Sequence, residues 1–124
     1  MNVIIKTIPY SEMRYPTCGD WFYKGETLHI RIAKMSDWRY EFCIEIHERI
    51  EAALCRYLGI GQKQVDRFDI AHEKKRKEGD ESESGDSPKA PYRIPHCLAT
   101  GVERIVAAFL GVVWSDYELE INSL

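Results

Sequence analysis

The sequence predicts an α+β fold: a small antiparallel sheet, made of N-terminal strands and a hairpin, packed against two main helices. Three observations predict it. Residues 27–33, Thr-Leu-His-Ile-Arg-Ile-Ala, alternate apolar and polar at period two, as a half-buried strand does. The stretch from about Asp37 to Leu58 carries apolar residues at helical spacing, and so does the stretch from Pro95 to Leu110. At 124 residues, 44% hydrophobic and 30% charged, the chain suits one domain, residues 1–124, with a real core.

In chain order, Val3 to Ile8 is a β-rich run ended by Pro9. An aromatic piece from Cys18 to Tyr23 enters a turn at Lys24-Gly25 and returns as the alternating strand. Ser36 or Asp37 can cap the first long helix, and Gly59 stops it. Phe42, Ile46, Ile50, Ala53, Leu54 and Tyr57 share one face of that helix, which is expected to pack on the sheet. A short helix with Val65, Phe68 and Ile70 follows Gly61. Residues 74–91 hold four consecutive basic residues, then an acidic Ser/Gly run, with no apolar side chain larger than alanine. That segment is expected to be a mobile, solvated loop. Pro95 opens the second long helix and Gly111 closes it, with Leu98, Val102, Ile105, Val106 and Phe109 as its apolar face. From Trp114 onward, a short helix and a closing strand fit equally well.

Composition excludes several classes. The formal net charge is -3 and no basic stripe runs along a helix, so binding to a nucleic-acid duplex is not expected. No apolar run is long enough to span a membrane, and residues 1–6 have no signal-peptide core, which points to the cytoplasm. Cys18, Cys43, Cys55 and Cys97 are scattered, and reduced thiols are the default.

The candidate chemistry lies on the two long helices. His47 and Glu51 are four residues apart, one above the other on a helix, and can converge on one divalent ion, zinc or alternatively manganese or iron. At 100° per residue they fall on the flank of the apolar face, whereas Glu48 falls nearly opposite its centre and is expected to be exposed. His96 and Glu103 flank the apolar face of the second helix. They lie about 10 Å apart along the axis, so at most one of them reaches the same ion. His47, Glu51 and His96 are therefore the expected metal ligands. Glu103 is the supporting partner or alternative ligand, and Glu48 or Glu103 the proton acceptor. Rival sets are Asp69, His72 and Glu73, and a zinc site of Cys43, His47, His96 and Cys97.

An aromatic hairpin, an alternating strand and a long helix bearing His47-Glu48-Arg49-Ile50-Glu51 resemble the active-site half of minimal zincin metallopeptidases. The resemblance covers about residues 20–58. It implies that His47 is a metal ligand, that Glu48 activates water, and that Glu51 stands where the family has a second histidine. The small size and the split loop also look like small phage-encoded accessory proteins.

Two function classes follow. One is a zincin-like, metal-dependent hydrolase acting on a peptide or small molecule. The other is a non-catalytic, oligomeric module that binds a nucleotide or nucleotide-derived signal, with Trp21, Tyr23 and Tyr92 stacking on a ring and Arg93 and Arg104 holding phosphate.

Overall fold

The computed structural model describes all of residues 1–124. Strands β1 (Asn2–Ile8), β2 (Gly19–Lys24) and β3 (Thr27–Ala33) form one sheet in the order β1-β3-β2. β2 and β3 are the expected hairpin, with Lys24 opposite Thr27 and Gly25 at φ 60° in the turn. β1, in contrast, pairs parallel with β3, from Asn2 opposite Thr27 to Ile8 opposite Ala33, so the sheet is mixed. Pro9 ends β1, and a single 3-10 turn at Tyr10–Glu12 starts a connection that crosses one end of the sheet without doubling back.

Four helices follow: α1 (Trp38–Leu58), α2 (Gln62–Lys75), α3 (Arg93–Phe109) and α4 (Trp114–Asn122). Asp37 caps α1 by accepting from the Arg39 N–H at 2.9 Å, and Gly59 ends it in the left-handed conformation at φ 73°. The C-terminal segment is helical, and its buried Tyr117 joins the core formed by Trp21, Leu28, Ile30, Ile32 and Ile44. No helix is long and apolar enough to cross a membrane. α1 and α3 pack antiparallel: Arg39 donates to the Leu110 carbonyl at 3.0 Å at one end, and Glu51 meets His96 toward the other.

Both long helices turn inward a face other than their most apolar one. On α1 the buried residues are Cys43, Ile44, His47, Glu48, Glu51, Ala52 and Cys55, while Phe42, Ala53 and Tyr57 are exposed and Ile46, Ile50 and Leu54 only half-buried. The buried arc is centred about 140° from the expected one. On α3, Pro95, His96, Ala99, Glu103 and Ala107 face in, whereas Leu98, Val102, Ile105 and Phe109 face out. Close packing explains the choice of face. The sheet already supplies bulky Trp21, Leu28, Ile30 and Ile32, and the small Cys43, Ala52, Cys55, Ala99 and Ala107 let the helices approach. Gly19 shows how close β2 and α1 come: a Cβ there would stand 2.5 Å from Ile44 Cγ2 and 2.7 Å from Glu48 Oε1.

The charged segment is also not simply solvated. Lys74 and Lys75 complete α2, and Ser84–Asp86 form a 3-10 turn whose Gly85 is buried. Polar contacts hold it: Ser84 donates to Asp69 at 2.7 Å and meets the Tyr92 hydroxyl at 2.8 Å. Such packing needs no apolar side chains, which is why composition gave no sign of it.

Candidate metal centre

The inward faces of α1 and α3 bring a set of ionisable side chains together at their seam. His47 and Glu51, one turn apart on α1, meet His96 from the first turn of α3. His47 Nε2 lies 3.1 Å from Glu51 Oε2 and 3.2 Å from His96 Nδ1, and His96 Nδ1 lies 3.1 Å from the same Glu51 oxygen. These three atoms form a nearly equilateral triangle. Its edges match the separation of neighbouring donors around a first-row ion bound at about 2.0–2.1 Å. The three residues could hold a metal ion, as expected from the sequence.

The atoms behind the triangle are equally ordered. His47 Nδ1 lies 2.8 Å from Glu103 Oε1, and the Tyr117 hydroxyl donates to Glu103 Oε2 at 2.6 Å. His96 Nε2 is fully buried and lies 2.9 Å from Glu83 Oε2 and 3.3 Å from Asp86 Oδ1, without hydrogen-bond alignment to either. Trp21 donates its indole N–H to Glu51 Oε1 at 3.0 Å, leaving Oε2 for the triangle. Each imidazole thus has a carboxylate on the side away from the triangle, the usual arrangement around metal-bound histidines.

The electrostatics favour a cation. Burial opposes charge on both rings, but carboxylates outweigh it: Glu103 and Glu51 hold His47 well above the ordinary imidazole range, and Glu51 and Glu83 raise His96 to about 10. Burial would raise Glu51, yet its contacts to the two imidazoles bring it down to about 2. Burial pushes Glu48 well above the carboxylate range, and the charge of Glu51 adds to the shift. The apolar wheel of α1 predicts an exposed Glu48; instead it is buried beside β2, because α1 turns its smaller-residue face to the sheet. Its carboxyl lines the same cavity as the triangle, about 350 Å³ in volume, together with Cys18, Asp69, Glu83 and Tyr92.

The other expected site residues divide. Glu103 is in the cluster, and the two turns between it and His96 put His96 in the triangle and Glu103 behind it. Trp21 belongs to the site as a hydrogen-bond donor and is too buried to stack on a ligand. Tyr92 lines the cavity, but its hydroxyl is engaged with Asp69. Arg93 is exposed and does not line the cavity. Arg104 stacks on Trp114, 4.3 Å from the ring centroid, on the outer side of α3. Cys97 is exposed, which removes the two-cysteine alternative. Sequence reasoning missed Glu83, Asp86, Gly85 and Tyr117. The one available signal was the small-residue turn Ser84-Gly85-Asp86 set in an acidic run.

The chain matches no known protein family, no curated protein and no solved structure.

Proposed function

We propose that this chain is a zincin-like divalent-metal-binding protein whose ion, held by His47, Glu51 and His96, serves hydrolysis. One observation carries the reading: two imidazoles and a carboxylate converge at 3.1–3.2 Å while each imidazole keeps a carboxylate behind it. Zinc suits the mixed nitrogen and oxygen donors, and manganese or iron suits the two-histidine, one-carboxylate set. Three protein donors on one side of an ion leave its remaining positions for water and substrate.

The bound ion would supply a polarised, acidified water. The Glu48 carboxyl lines the same cavity and is not engaged by another side chain, so it is positioned to take that proton. Burial is the larger cause of the upward shift at Glu48 and the charge of Glu51 the second; a cation beside Glu51 would offset the second. Glu51 in place of a second neutral histidine lowers the net charge of the centre and with it the Lewis acidity of the ion. The lining is rich in carboxylates, among them Glu48, Glu51, Asp69, Glu73 and Glu83, which favours a neutral or cationic peptide or small molecule over a phosphorylated one. Arg93 and Arg104 lie off the cavity, so the nucleotide-binding alternative lacks its phosphate partners.

Elemental analysis of protein purified without chelators tests the ion, with His47→Ala beside it. Stoichiometric metal lost in the variant is the expected result; metal-free protein of unchanged fold sinks the reading. Hydrolysis is tested by Glu48→Gln on a peptide panel, where retained metal with lost turnover is expected.

A further inference from the structure

α1 and α3 leave an apolar face uncovered on the side away from the sheet. Five large side chains on α3 point outward: Ile94 (68% exposed), Leu98, Val102, Ile105 (71%) and Phe109 (92%). Their spacings of four, four, three and four residues keep them on one face. The only exposed charges on α3, Arg93 and Arg104, lie on the flank away from this face. α1 adds Trp38 (66% exposed) and Phe42, whose rings lie 6.5 Å apart. Because the helices are antiparallel, these two lie toward the Ile105–Phe109 end of α3. Half-buried Ile46 and Ile50 continue the apolar arc along α1.

We propose that this face is the interface of a homodimer, with α1 and α3 of one copy packed on those of a second. Area is the first argument. Together these side chains expose on the order of 900 Å², against about 800 Å² per partner in a standard interface and only a few hundred in the largest apolar patch of most monomers. The whole chain points the same way. Its accessible surface is 7567 Å², whereas a monomer of this mass is expected to expose about 6,800 Å². The excess approaches what one side of such an interface covers. Charge is the second argument. The α3 part of the face is uncharged, and the α1 part carries Arg39, already paired with Asp37 at 2.6 Å, with Arg49 and Glu45 toward its far edge, so two copies can meet without facing a rim of a single sign. The aromatic anchors Trp38, Phe42 and Phe109 are of the type that dominates interface energetics. The proposal is independent of the metal centre, which lies on the opposite faces of the same helices.

Light scattering coupled to size-exclusion chromatography over a wide dilution series tests it on the full chain. The expected mass is twice that of the chain, falling to the single-chain mass in Ile105→Glu and in Phe109→Glu with helical circular dichroism unchanged. Both side chains are largely exposed, so the monomer core does not depend on them. A wild-type protein that stays a single chain overturns the proposal, and so does an oligomer that survives both substitutions. Oxidative footprinting of the unmodified protein reads the same face without any variant. Protection of Trp38 and Phe109 at high concentration and its loss on dilution supports the dimer, and equal labelling at both concentrations overturns it.

Discussion

His47 and Glu103 meet across the α1–α3 seam, Nδ1 to Oε1 at 2.8 Å, and this contact directs the opposite nitrogen of the ring, Nε2, at the ligand triangle. The imidazole is set by a residue from another helix, itself held by Tyr117. Glu103→Gln keeps the shape but weakens this grip, and supporting contacts of this kind are worth roughly ten- to a hundredfold in metal affinity. Competition titration against a chromogenic chelator should show a loss in that range with stoichiometry unchanged. Unaltered affinity would remove Glu103 from the centre.

Gly85→Ala tests the loop's part in the site. A Cβ at that position would stand 2.3 Å from the His96 ring, so either the 3-10 turn or the imidazole must move. Weaker metal binding is expected, with little change in the metal-free protein's helix content. If affinity is maintained, the turn does not press on His96.

Proton competition has a definite sign. His96 is raised from 6.5 to about 10, so in metal-free protein its contribution to stability is fully present below about 6.5 and is lost as pH rises through 10. Glu51, lowered from 4.5 to about 2, contributes above about 4.5 and loses that contribution as pH falls through 2. A metal ion displaces the proton on His96, so its affinity should climb as pH rises toward about 10 and level off above it, with protons released on binding below that pH. Calorimetry in two buffers of different ionisation enthalpy measures that release. A pH-independent affinity would count against coordination through His96.

Gly19→Ala probes the strand beneath the centre. With Ile44 Cγ2 at 2.5 Å and Glu48 Oε1 at 2.7 Å from the added carbon, α1 must shift or repack. Overpacking of this kind costs about 1–3 kcal/mol, and urea denaturation should show a lower midpoint. An unchanged midpoint would mean that the contact between β2 and α1 is looser than described.

How much was legible in the sequence follows from what each signal measures. The alternation of Thr27–Ala33, the Asp37 cap and the Gly59 stop are local effects of backbone geometry, and each stands where expected. His47 and Glu51 were legible as a pair because four-residue spacing on a helix sets a shared direction whatever the helix packs against, and His96 because its ligand chemistry lies on the other long helix of the fold. The facing of α1 and α3 was not, since the hydrophobic wheel assumes that the largest apolar residues mark the core. Here Ile105 and Phe109 face out, while Ala99 and Ala107 let α3 approach its neighbours. The same assumption turned Glu48 outward. Glu83 and Gly85 were hidden for another reason: a segment held by hydrogen bonds and ion contacts leaves no trace in hydropathy.

The seam between α1 and α3 is built from imidazoles and carboxylates where most helix pairs place leucines. An ion that binds only the folded chain adds its binding free energy to folding. The melting temperature of this protein should therefore follow the logarithm of free metal concentration, and a chelator should act on it as a denaturant.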